Sequence, residues 1–294
     1  MKENNKALIF AGIATLSWST VASAFKIALQ YFSHYEMLLV ASVTALIIFV
    51  LVLTFQKKWA LLATLSRKDW LRFSWMGLLN PVIYYLVLFG AYDLLPAQIA
   101  QPINYFWPIV LLILISVITH RPIPKAKYAG MFMSLAGVTV ISLSSGQISG
   151  SSFPMTGLLL GFFSAFLWAG FWLVNNMNKD KDFVLSLFMI FLFGSLYLVI
   201  GSALMPVDLR PFPGLLSGEY IGAFEMGIPF VFFGLALRKS TNPALVNQLC
   251  YLSPFISLFI ISIVLGEKIL PTTFAGLFLI VFGIIFNEYL VKRK

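Results

Sequence analysis

The second half of this chain repeats the first, and each copy holds an odd number of apolar spans. Trp18 falls on Trp168, and the small-residue ladder Ala11, Thr15, Ser19 then falls on Gly161, Ala165, Ala169. Pro108 falls on Pro254, which brings Tyr105 onto Tyr251, Gly130 onto Gly276 and Gly137 onto Gly283. An odd-numbered unit used twice must cross a membrane in opposite senses. Inverted repeats of this kind are the architecture of many secondary transporters, whose two halves move about a site near the bilayer midplane.

A membrane is required by the composition. Of 294 residues 60% are hydrophobic and 11% charged, with 29 Phe, against about a quarter charged in soluble domains. Apolar runs of about 20 residues, enough to cross a ~30 Å hydrocarbon core, occur at 7–30, 34–56, 71–92, 96–118, 126–144, 155–175, 183–205, 217–237, 243–265 and 271–290. The expected fold is an all-α polytopic membrane protein of ten transmembrane helices in two inverted five-helix repeats. Residues 1–144 form the first repeat, 145–153 an external Gly/Ser linker and 154–294 the second repeat.

The net charge of +9 is explained by topology and needs no nucleic-acid partner. Ten spans with the N-terminus inside put 17 of the 20 basic residues on one side and leave only Lys26, Arg210 and Lys268 toward the other. The positive-inside rule then places both termini in the cytoplasm of a multi-pass inner (plasma) membrane protein. The first apolar run is too long for a signal peptide and is read as a retained helix. Cys250 is the single cysteine, so an intrachain disulfide is excluded. His34 and His120 belong to opposite membrane sides and cannot share a metal. With no phosphate-binding glycine loop and lysine, the chain reads as a non-enzyme with no cofactor and no metal.

Charged groups inside hydrocarbon are costly enough to be functional candidates by default. Glu225, between Gly222 and Gly227 with Pro229 beyond, is the deepest carboxylate and the candidate for proton coupling. Matching Gly77 to Gly222 sets Asn80, followed by Pro81, at the level of Glu225. Polar, helix-breaking residues then occupy one depth in both halves, where discontinuous-helix transporters bind substrate. A protonated Glu225 making one interhelical hydrogen bond is the plainer alternative. Lys26, eight residues after Trp18, either snorkels to the headgroups or meets a substrate carboxylate opposite Glu225. Gln98, Gln101 and Asn104 form a polar stripe at i+3 steps, answered by Asn247 and Gln248. These amides serve either a cavity or helix contacts. The rings of Tyr84, Tyr85, Tyr105, Trp107, Trp168, Trp172 and Tyr251 either stack a planar ligand or pack among themselves. The ladders in helices 1 and 6, and the glycine pairs Gly130/Gly137 and Gly276/Gly283 two turns apart, allow close helix contact; they leave monomer and homodimer both open.

Trp18 followed eight residues later by Lys26, the prolines of helices 4 and 9, and Leu265-Gly266-Glu267 followed by Ala275-Gly276 resemble the EamA family of the drug/metabolite transporter superfamily over essentially the whole chain. Ser17-Trp18-Ser19-Thr20 and Asn104-Tyr105-Phe106-Trp107-Pro108 are similar to its branch of aromatic amino-acid exporters of the YddG type. The resemblance implies helices 1–4 and 6–9 around a central cavity, supported by helices 5 and 10. Ser42 stands where many relatives carry an intramembrane arginine, and Arg121 where a glutamate is expected. Glu225 has no counterpart in the resemblance and rests on the physical argument.

The expected function is therefore a secondary transporter exporting small metabolites, amino acids with a preference for aromatic ones. The expected substrate contacts are Trp18, Lys26, Asn80, Tyr84, Gln98, Gln101, Asn104, Tyr105, Trp107, Trp168, Glu225, Asn247 and Tyr251. Export of other amino acids, nucleobases or cationic drugs is the alternative within transport, and a membrane receptor or scaffold without flux the alternative outside it.

Overall fold

The computed structural model describes residues 2–95, 100, 103–120, 123–144, 154–177, 180–265 and 271–287. Ten principal helices follow one another: α1 (Lys2–Ala28), α2 (His34–Phe55), α3 (Arg67–Leu94), α4 (Trp107–Thr119), α5 (Lys125–Ser144), α6 (Met155–Met177), α7 (Phe183–Ser202), α8 (Phe212–Lys239), α9 (Pro243–Val264) and α10 (Pro271–Ile285). Among the described residues seven of them, α1–α3 and α6–α9, are long and apolar enough to cross a membrane unaided. The described parts of α4 and α10 are shorter apolar helices of 13 and 15 residues. Residues 145–153, which join the halves, and Arg121 lie outside the described set.

Local chemistry sets where the helices begin. Ser33 and Glu36 form a reciprocal capping box on α2, and Ser66 and Asp69 do the same on α3. Asp182 caps α7 by accepting from the backbone N–H groups of Val184 and Leu185. Such caps satisfy donors that a helix start leaves without an intrahelical partner. Prolines stand in the first turns of α4, α8 and α9, where their missing N–H costs nothing.

Packing follows a pseudo-two-fold rule in which helix n and helix n+5 exchange. α1 packs on α8 and α9, while α6 packs on α3 and α4; α2 packs on α8, while α7 packs on α3; α2 meets α7 and α5 meets α10. The inversion is visible at one end of the bundle, called here the basic end. There Glu3 at the start of α1 pairs with Lys239 at the end of α8 at 2.7 Å. Lys58 after α2 reaches Asp182 before α7 at 2.7 Å, and Lys181 reaches Asp69 in α3 at 2.9 Å. The first half therefore starts at the end where α6 finishes, so the two halves run in opposite senses. At the other end, the linker end, Glu36 accepts from the backbone N–H of Asp208 at 2.6 Å and Tyr35 donates to the carbonyl of Leu198 at 2.5 Å.

α5 and α10 cross so closely that a Cβ at Gly137 or Gly283 would strike the carbonyl oxygen of Gly276 or Gly130 respectively. The two glycine pairs thus face each other within one chain, and this face is not available to a second copy. Beside that crossing Gln248 donates to Gly130 O at 3.0 Å and Ser134 Oγ at 2.8 Å, and accepts from Asn287 at 2.6 Å. Gln248 is a tie between α9 and the α5–α10 pair, with its amide committed to protein partners.

Candidate transport site at the midpoints of α3 and α8

α3 and α8 are each 28 residues long, and Asn80 and Glu225 are each the fourteenth residue. The α8 midpoint is wound as a π stretch, Gly222–Gly227, whereas α3 breaks at Asn80, whose φ of −145° and ψ of 123° are extended, just before the cis Asn80–Pro81 bond. Proline is the cause. Pro81 and Pro229 lack the N–H that would bond to the carbonyls of residues 77 and 225, four positions earlier, so each helix is loosened and one carbonyl is released. The loosened stretches are held by close packing in equivalent places. A Cβ at Gly77 would come within 2.5 Å of Ile190 O on α7, and one at Gly222 within 2.5 Å of Ala41 O on α2.

The carbonyl released at Glu225 is taken up from the other half of the molecule, for Trp18 Nε1 donates to Glu225 O at 3.0 Å. The hydroxyl of buried Tyr85 on α3 donates to Glu225 Oε1 at 3.0 Å. Glu225 as a residue is partly exposed, while its carboxylate lies deep among the helices beside Tyr85. A backbone break, a carboxylate and two donors from the opposite repeat therefore meet at mid-depth. The arrangement can bind a proton or an organic cation, and motion of one half against the other would change its donors.

Trp168 is the hub of the rings beside this point. Its centroid lies 4.5 Å from Tyr84, 5.3 Å from Phe230, 6.2 Å from Trp107 and 6.3 Å from both Trp18 and Tyr85. Asn104 is buried there and donates to Ser164 Oγ at 3.0 Å and Tyr84 OH at 3.5 Å. Tyr105 and Tyr251 form a separate pair, centroids 6.3 Å apart, in a second apolar cluster built with Ile109, Met131 and Ile280 of α4, α5 and α10. The structure thus divides the aromatic set expected from sequence into two groups. The division has a local cause: the chain turns at Tyr105–Phe106 before Trp107 resumes a helix, so neighbours in sequence face different clusters.

Asn80, Asn247 and Tyr251 are fully buried, and none of their side-chain polar atoms has a protein partner. Gln98, Gln101 and the side chain of Lys26 lie outside the described residues. Tyr85 and Ser164 had no distinguishing sequence signal as partners of Glu225 and Asn104, whereas Pro229, four residues after Glu225, does mark the released carbonyl. Ser42 is buried and shares a 2.8 Å hydrogen bond with Ser195 of α7, a neutral contact at the position where arginine was the family expectation. Among the described residues no group of His, Cys, Asp and Glu could hold a metal ion.

A groove of about 320 Å³ opens at the linker end between α1, α8 and α9. Thr20 and Ser23 line it from α1 and Ser217 and Tyr220 from α8. It does not enclose the Trp168 cluster, and its deepest residue on α8, Tyr220, is five residues from Glu225.

Comparison with known proteins fits this geometry. The model of the EamA-like transporter family matches residues 5–143 and again 155–289, one match on each half. The chain is 27% identical over 229 residues to the uncharacterized transporter YvbV of Bacillus subtilis (strain 168), covering 74% of this chain and 72% of that protein. A crystal structure with 19% identity superposes over 98% of both chains with a TM-score of 0.83, which shows a shared fold. Duplicated five-helix halves, ten helices and two family matches lead to one conclusion: the chain belongs to the EamA-like transporter family and is a multi-pass membrane transporter, not an enzyme.

Proposed function

We propose that this transporter exports amino acids, aromatic ones preferred, across the inner (plasma) membrane, with both termini in the cytoplasm and the 145–153 linker outside. The observation that carries the reading is the Glu225 carboxylate at mid-depth, held by Tyr85 and backed by the Trp168 cluster. A carboxylate there takes either a proton or the ammonium group of a substrate, and indole and phenol rings give a planar side chain flat apolar surface. Exchange of the two occupants would couple outward substrate movement to inward proton movement. Lys26 would then meet the substrate carboxylate at the outer end of α1. Asn80, Asn104 and Asn247 supply uncharged hydrogen-bonding groups, which suit a site that must also release its ligand. The 17-to-3 distribution of basic residues supports the topology.

The same carboxylate favours a second reading, transport of cationic amines. Counterflow in liposomes loaded with Phe, Tyr or Trp separates the two. Exchange of the amino acids, with Trp107→Ala lowering flux per folded molecule, supports the first reading. Exchange of phenethylamine or tryptamine with no exchange of the amino acids replaces it with the second. Absence of flux for every solute tried defeats both.

A further inference from the structure

Beyond the Glu225 site, α6 carries polar groups toward the basic end that no helix contact uses. Trp172 is 1% exposed and Asn175 0% exposed, and the indole Nε1 and both amide atoms have no protein partner. Trp168, Trp172 and Asn175 follow at i, i+4 and i+7, on one face of α6. From Trp168 to Asn175 is about 10 Å at the helical rise of about 1.5 Å per residue. Aromatic surface is continuous along this path, because the Trp172 ring lies 5.9 Å from Trp168, 5.2 Å from Phe230 and 4.8 Å from Phe233. Arg238 of α8 stands at its end, donating through Nη2 to the backbone carbonyl of Asn175 at 3.0 Å and through Nη1 to that of Lys181 at 3.3 Å.

We infer that Trp172 and Asn175 form a second ligand station between the Glu225 site and the basic end, one that receives the carboxylate of an aromatic acid or amino acid. The chemistry of the groups sets the ligand class. An indole N–H only donates, and an amide nitrogen donates as well, so the oxygen of a carboxylate answers both, with the engaged Arg238 guanidinium adding positive charge nearby. Glu225 is the converse, an acceptor suited to an ammonium. The acids of this end are largely engaged: Asp182 by Lys58 and the N-terminus of α7, and Asp69 by Lys181. Asp180 and Asp182 also act electrostatically on Arg238. A zwitterion moving from the basic end would be met carboxylate-first at Trp172 and Asn175 and then amine-first at Glu225. This inference rests on the transport reading and extends it to the basic end of the path.

The test uses the full chain in detergent and two probes, 3-phenylpropionate, which has no amine, and phenethylamine, which has no carboxylate. Binding is followed by thermal shift, which rises with any ligand that favours the folded state. Trp172→Phe keeps an aromatic ring and removes the N–H; Asn175→Leu removes an unpartnered buried amide at similar size and leaves folding intact or improved. Each should weaken 3-phenylpropionate by about tenfold, the cost of one hydrogen bond to a charged group, and leave phenethylamine unchanged. Unchanged 3-phenylpropionate binding in both variants overturns the station, as does its absence in the wild type. Loss in Glu225→Gln alone would place the acid at the midpoint site and also overturn it. If 3-phenylpropionate binds through Trp172 and Asn175 while no amino acid is carried in liposomes, the station stands and the substrate assignment falls.

Discussion

The midpoints of α3 and α8 share a level in the bundle and a glycine contact, and differ in backbone and in chemistry. Each interrupts a 28-residue helix at its fourteenth residue, by an extended Asn80 in α3 and by a π stretch in α8, with a glycine three positions earlier packed on the opposite half. At one midpoint Asn80 is sealed and its amide meets no protein partner; at the other Glu225 is half-buried and bonded by Tyr85 and Trp18. The duplicated fold therefore supplies two equivalent weak points in the bundle, and the sequence has placed a charge at only one. Symmetry provides the shared level and its glycine contacts, and asymmetry provides the chemistry.

If the glycine contact holds both halves alike, it should break equally in both. Gly77→Val and Gly222→Val each drive a side chain into a neighbouring backbone carbonyl. Overpacking costs about 1–3 kcal/mol or more, so both should lose most of their folded yield in detergent chromatography. Survival of one and not the other would mean that the halves are not held alike.

If the chemistry is not shared, conservative changes at the two midpoints should diverge. Tyr85→Phe removes one hydrogen bond to a charged group, typically ~1.5–3 kcal/mol, and should lower flux roughly tenfold at unchanged abundance. Asn80→Leu removes buried polar atoms that have no partner, so folding should hold or improve by about 1 kcal/mol, with a smaller loss of flux than Tyr85→Phe. A larger loss at Asn80 would move the chemistry to the other half.

The weakest effect belongs to the basic-end ion pair. Burial raises the Asp182 carboxyl, but hydrogen bonds from Lys58 and from the N–H groups of Leu185 and Val184 outweigh it and hold the group below the ordinary carboxylate range. A carboxyl depressed in the folded state contributes stability above its unfolded pKa and loses it as pH falls through the folded value. Asp182→Asn keeps a good cap and removes the charge, so it should cost under about 1 kcal/mol at neutral pH. The difference from wild type should shrink in acid melts as the pH falls below the ordinary carboxylate range.

Most of the architecture was readable because the chain states it twice. Pro108 with Pro254 and Gly77 with Gly222 fix the register of the halves, and their packing repeats in space. The asymmetric contacts were not readable, since they join residues with no shared pattern. Nothing in the sequence ties Tyr85 to Glu225, 140 residues away, or separates Tyr105 from Trp107, two residues apart but in different clusters. Gln248 beside Asn247 was open from sequence to a cavity or to helix contacts, and it is a tie to Gly130, Ser134 and Asn287, because side-chain direction within one turn depends on which helix lies opposite.

The central claim is that the Glu225 charge, and not its shape, couples the two halves to a moving substrate. Glu225→Gln preserves size and hydrogen-bonding capacity and removes the titratable group. The direct measurement is flux of phenylalanine in liposomes with an imposed pH gradient, for wild type and Glu225→Gln at matched folded protein. Gradient-driven flux in the wild type, and flux that is reduced and insensitive to the gradient in the variant, is the predicted result. Equal flux with the same pH profile in both proteins would contradict it and reduce Glu225 to a structural hydrogen-bonding group.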